Sequence, residues 1–221
     1  GCLNRRDNAD PNGDVGRCAT CHGDPSSSGD YLQRAAPPYD VSGLTGTANP
    51  GVGAHQNHIR ATATHAAVAC NECHVVPDAV DSPGHADSKL PAEIVFGAIA
   101  KTTHKNETTN PTFDGTAFRC SDTWCHRESD AAWTKPRTSE QACGSCHGLP
   151  PASPHPQAEN CVACHGDVID KDRNIIRPDL HVNGKVDLVE GKCSTCHGTG
   201  DNFAPPVDTL GNTETSAIGV G

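Results

Sequence analysis

Hydrophobic periodicity along this chain is weak and short-ranged. One stretch reads as an amphipathic helix, Gly53-Ala-His55-Gln-Asn-His58-Ile-Arg-Ala-Thr-Ala-Thr-His65, with His55 and His58 on one face. The most apolar segment, Pro91 to Ala100, is predicted as a short strand or a short helix, and it falls far short of the ~20 residues needed to cross a bilayer. Val75-Val76-Pro77 reads as an extended piece stopped by proline, and Ser82-Pro-Gly-His85 as a turn carrying a histidine. Residues 127–142 are charged, contain Trp133 and suggest a short helix. Ile175 to Val186 reads as a hairpin around Asn183-Gly184, with His181 at the end of its first strand. Polar connectors join these pieces: residues 3–17 with a turn at Asn12-Gly13-Asp14, a wrapping loop over 23–53, and a Thr/Asn-rich loop after His104. The stretch from Gly148 to Pro156 is a stiff proline-rich connector that presents His155. Nothing in residues 199–221 would order that tail by itself, so order there requires packing on a cofactor or on a neighbouring molecule. The fold class expected is mostly irregular and loop-rich, with short helices and few short strands.

Composition sharpens the problem. Aromatic residues are 4 % of the chain, Met is absent, and there are 22 Gly and 17 Pro among 221 residues. Such a chain has little material for a side-chain core and leans toward loops or disorder. The formal net charge is −10. An acidic surface argues against nucleic acid and against anionic membrane surfaces as partners. It suits soluble cations, metal-bearing particles or basic electron-transfer partners, and it equally suits plain solubility.

The cysteines explain how such a chain can fold. Cys18-Ala-Thr-Cys21-His22 recurs as Cys70-Asn-Glu-Cys73-His74, Cys143-Gly-Ser-Cys146-His147, Cys161-Val-Ala-Cys164-His165 and Cys193-Ser-Thr-Cys196-His197. A wider copy is Cys120-Ser-Asp-Thr-Trp-Cys125-His126. A C-x-x-C-H run is the attachment site of a c-type haem. Two thiols add to the two vinyl groups of one porphyrin, and the adjacent histidine ligates its iron. Zinc is the competing reading, but zinc sites do not require His directly after the second Cys. Here all six pairs have it, and twelve of the thirteen cysteines are used. A thioredoxin-like redox pair is the third reading, but one fold would carry one such pair, not five. Six haem c groups in 221 residues leave little protein between neighbours. We therefore expect a single hexahaem domain over 1–221 whose stacked haems act as the core, and a cofactor-free chain that is largely unfolded.

Ligand arithmetic follows. Thirteen His less the six in motifs leaves His55, His58, His65, His85, His104, His155 and His181. With no Met, His/Met ligation is excluded, and six bis-His irons need six of the seven. His55 and His58, on one helical face, are expected to serve two neighbouring haems. The spare is expected to be His65 or His104, either structural or ligating a haem in the next molecule. Bis-His iron has no open position, so outer-sphere electron transfer is expected and no catalytic residues are assigned.

Thioether attachment takes place outside the bacterial cytoplasm, so export is implied. No signal peptide stands at the start, and a mature or trimmed chain is expected. Cys2 is the odd cysteine. Gly1-Cys2 has the form of a bacterial lipoprotein cleavage site, which would make Cys2 a lipid anchor; retention of Gly1 speaks against it, and a free or disulfide-bonded thiol is the alternative. The Cys18–His22 site stands well before the next one and is expected at one end of the haem series.

Taken together, Gly51 to His58, Cys70 to Pro77, Phe118 to His126, Cys143 to Pro151 and Leu180 to Val186 resemble the multihaem c-type cytochromes of metal-reducing bacteria that mix C-x-x-C-H and C-x4-C-H sites. The matching stretches span roughly Cys18 to His197. The resemblance implies an exported protein at the outer surface of a Gram-negative bacterium, moving electrons toward extracellular acceptors. It supports His55, His58, His85, His155 and His181 as ligands, while His65 and His104 match less well. Some similar cytochromes polymerise end to end into conductive filaments, with a His of one subunit ligating a haem of the next. Three functions follow as expectations. The first is an extracellular electron conduit or filament (nanowire) subunit, with copies of itself or other cytochromes as partners. The second is a monomeric periplasmic or lipid-anchored shuttle. The third is a multihaem reductase, which would need an open iron position.

Overall fold

The computed structural model describes residues 18–19, 21–36, 38–85, 87, 89, 92–102, 109–126, 131–136, 144, 146–152, 155, 157 and 159–189. Cys2, His104, Cys143, Cys193, Cys196, His197 and the C-terminal tail lie outside the described residues, and with them the lipid-anchor reading of Cys2. The chain divides into two compact units. The first comprises Gly1–Thr62 and Ala66–Glu140; the second comprises Ala63–His65 and Gln141–Gly221.

Regular structure is sparse, as the weak periodicity implies. In the first unit lie helices α1 (Tyr31–Ala35) and α2 (His55–Ile59), strands β1 (Thr112–Asp114), β2 (Arg119–Ser121) and β3 (Ala131–Ala132), and 3-10 turns at Cys70–Glu72 and Trp124–His126. The second unit holds α3 (Val162–His165) and α4 (Pro178–His181). The three strands form one antiparallel sheet in the order β1-β2-β3, with Phe113 opposite Cys120 and Cys120 opposite Ala131. Among the described residues no helix is long and apolar enough to cross a membrane.

Side-chain burial is thin. Among the described residues the buried apolar ones are Ala19, Ala36, Val52, Ala54, Ile59, Phe96 and Val168, and no large side chain is fully enclosed. Such a set offsets little of the conformational entropy of these residues at the usual worth of buried apolar area.

Several local expectations are corrected. The helix expected over 53–65 is only the five residues of α2, because Arg60 leaves helical space at φ −89°, ψ 129° and a Thr-rich stretch poor in helix propensity follows. The hairpin expected around Asn183-Gly184 lies earlier: Ile169 bridges Ile175, while His181 sits in α4, which Pro178 opens from the first turn. Of the short helix expected over 127–142, only 131–136 lie among the described residues, and there Ala131 and Ala132 form β3, paired with β2. The loop over 23–53 contains α1 and a bridge between Tyr39 and Thr45. The apolar segment before Ala100 forms neither a regular strand nor a helix. Its Val95 and Gly97 N–H groups donate to the Cys73 and Glu72 carbonyls, laying it along the second cysteine motif.

Candidate functional site

Three of the standard motifs close on themselves in one helical turn. The N–H groups of His22, His74 and His165 donate to the carbonyls of Cys18, Cys70 and Cys161 at 2.8, 2.9 and 2.9 Å. That bond brings the first Cys and the His into one turn, an arrangement that lets both thiols and the imidazole approach one planar group. The wide motif is built differently. Cys120 sits in β2, Asp122 takes a left-handed φ of 51°, and only then does a 3-10 turn present Cys125 and His126. His126 N–H donates to Thr123, not to the first cysteine. The two additional residues carry the chain out of the strand and into the turn.

The histidines gather in twos. In the first unit the ring centres of His22 and His85 are 6.0 Å apart, those of His55 and His74 6.2 Å, and those of His58 and His126 6.1 Å. In the second unit His147 and His181 are 6.4 Å apart, and His155 and His165 6.1 Å. Every pair joins one motif histidine to one histidine outside the motifs. With a coordinating nitrogen about 2 Å from its metal and each ring centre about 1 Å beyond, two trans imidazoles stand about 6 Å apart. The observed spacing therefore fits two axial ligands on a single iron. Among the described residues no group of three or more His, Cys, Asp or Glu converges on one metal position.

Ring orientation points the same way. Nδ1 of His55, His58, His85 and His181 is bound to the backbone carbonyls of Val52, Ala54, Val80 and Thr64. Nδ1 of His74, His147 and His165 is bound to those of Glu93, Gly148 and Asp187. A carbonyl on Nδ1 fixes the proton there and leaves Nε2 as the ligating nitrogen. His74 and His165 repeat one device. The segment that supplies the carbonyl also donates an N–H, from Val95 or Val189, to the second cysteine of the motif at 2.9 Å. Val75, Val76, Val95, Leu149, Val186 and Leu188 are exposed beside these motifs, an apolar surface suited to a flat apolar cofactor.

Electrostatics keep the groups neutral. Burial lowers the His55 pKa to about 4, against the opposing bond to Val52. His22 is lowered by burial first and then by His85 and His74. Burial, then the neighbouring Cys120, Glu72 and Cys125, pushes the Cys73 thiol up to about 11. Cys70 is raised by burial and then by Cys18, and Cys120 by burial. These couplings place the second motif within reach of both the first and the third. His55 and His58, neighbours on α2, reach His74 and His126 respectively, so the second and third sites are adjacent. His55 and His58 thus face two different motif histidines, His74 and His126.

Cys18, Cys70, Cys73, Cys120, Cys125, Cys146, Cys161 and Cys164 are in no disulfide. Cys21 is in a disulfide. His65 lies half-buried in the second unit. Sequence reading missed Trp133, whose indole contacts both His55 and His58. Its one signal was rarity, as one of two tryptophans in the chain. No protein-family model, curated protein or solved structure matches this chain.

Proposed function

We propose that the chain is a hexahaem c-type cytochrome that transfers electrons outside the cytoplasm, as a conduit or a polymerised filament subunit. The single observation that carries this reading is the set of five histidine pairs, each joining a motif histidine to a distal one at the spacing of trans axial ligands. When bound, haem supplies a reversible one-electron iron couple. The chain's own residues do the rest. Paired cysteines tether, paired imidazoles fill both axial places, and backbone carbonyls on Nδ1 hold the ring planes. With both places filled, substrate has no position to occupy, which favours electron transfer over reductase chemistry. The acidic charge and the resemblance to cytochromes of metal-reducing bacteria support extracellular acceptors and an outer-surface location.

The filament form rests on histidine count. Five distal histidines are used in the pairs above, which leaves His65 and His104 for the one remaining motif, at His197. The count leaves one histidine more than six bis-His irons need.

The test is a pyridine haemochrome assay with intact mass on protein matured in a host that attaches c-type haem. Six haems per chain with a wholly low-spin ferric spectrum is the expected result. A haem-free chain with alkylatable cysteines would sink the proposal, and native images showing only isolated particles at high concentration would remove the filament form.

A further inference from the structure

Trp133 stands where the ligand sets of two sites meet. Its backbone N–H donates to the Phe118 carbonyl at 2.8 Å, which ties it to the turn between β1 and β2. Its indole reaches across to the loop before α2 and donates Nε1–H to the Pro50 carbonyl at 2.7 Å. The space it occupies exists because residue 53 is glycine. A Cβ there would lie 2.0 Å from the indole nitrogen, and Gly53 also holds a positive φ of 43°. So placed, the half-buried ring meets His55 edge-on, with centres 4.6 Å apart and planes at 83°. It stacks on His58 at 5.9 Å and 29°. One aromatic plane, anchored at both ends, therefore bears on two imidazoles three residues apart on one helix.

The two imidazoles sit differently against their partners. His55 lies 21° from the plane of His74, nearly parallel; His58 lies 74° from His126, nearly perpendicular. The relative angle of two axial imidazole planes sets the splitting of the iron d orbitals, and through it the paramagnetic signature and the potential of the site. Resting on the cytochrome reading above, we infer that Trp133 is a positioning residue that sets the ligand-plane angles of two adjacent haems, those at Cys70–His74 and Cys120–His126. It thereby makes neighbouring sites electronically unlike. Carbonyl bonds on Nδ1 of His55 and His58 restrain each ring by one atom; contact with the indole restrains the remaining rotation.

The test uses fully haem-loaded protein and low-temperature EPR with a spectroelectrochemical titration. In Trp133→Leu, the low-spin signals of two haems of the six should shift or broaden, with two midpoint potentials moving and four unchanged. Trp133→Phe keeps a ring but loses the bond to Pro50, and should give smaller shifts at the same two haems. Gly53→Ala displaces the indole from a different residue and should reproduce the Trp133→Leu pattern. Signals and potentials identical to the parent in Trp133→Leu would overturn the inference, as would changes spread over all six haems in the Phe variant. Absence of low-spin haem from the parent protein would instead overturn the cytochrome reading.

Discussion

Removing His58 tests the ligand pairing most directly. Ala suits the helical position, being the best helix former, and Ile59, the buried residue of α2, is untouched. His55 keeps its own bond to Val52 and its own partner, His74. The fold loses the stacking of His58 on Trp133, worth about 0.5–1.5 kcal/mol for an aromatic pair. The proposed haem site at Cys120–His126 loses the imidazole that faces His126 among the described residues. In the haem-loaded His58→Ala protein, one haem in six should become high spin and bind one CO per chain, against none in the parent. EPR adds a second reading. His58/His126 and His147/His181 are the steep pairs, at 74° and 65°, whereas His55/His74 and His155/His165 lie at 21° and 12°. Steep planes give strongly anisotropic low-spin signals and near-parallel planes give rhombic ones. His58→Ala should delete one haem's worth of the anisotropic signal and leave the rhombic signals in place. A CO stoichiometry of zero, or loss from the rhombic class, would refute the pairing.

Other expectations follow from the same geometry. His181→Ala should likewise free one iron, at His147, and with His58→Ala the two should add to two CO per chain; a count of one in the double variant would show a shared site. In Gly97→Ala the new Cβ would meet the Glu72 side chain at 2.5 Å and its Cα at 2.8 Å, beside the bond from Gly97 to Glu72. A loss of about 1–3 kcal/mol is expected in denaturant titration, the usual cost of overpacking; an unchanged midpoint would show that this segment yields. Arg173 holds a left-handed φ of 65° at the tip of the Ile169–Ile175 turn, and Arg173→Gly should be stabilising by up to about 1 kcal/mol. A lowered denaturation midpoint would show that the Arg side chain outweighs its backbone strain.

Much of the candidate chemistry was legible in the sequence because it is local. Two thiols and an imidazole in five residues mark a candidate attachment site wherever the chain goes, and thirteen histidines without a methionine restrict the axial ligands open to the proposed haems. The low helix and strand content was legible too, since no segment repeats its apolar residues for more than a turn or two. Local patterns misled where tertiary contacts decided. Apolar alternation near Asn183 suggested a hairpin, but Pro178 and the bond from His181 to Thr64 make that stretch a helix that delivers an imidazole. Trp133 looked like part of a charged helix, and became a wedge only once Pro50 and Gly53 were brought beneath it.

By itself, then, the sequence determined the covalent and ligand chemistry available: which cysteines stand together, which histidines follow them, and how many imidazoles remain. Only the tertiary structure decided which remaining imidazole faces which motif. His22 and His85, or His58 and His126, are far apart along the chain, and every imidazole is chemically alike, so nothing local encodes the partner. Loop closures, carbonyl bonds to Nδ1 and the short sheet around Cys120 select one pairing out of many. The angle between paired rings is more remote still from the sequence, because it depends on contacts such as the indole of Trp133 that arise only when distant loops meet.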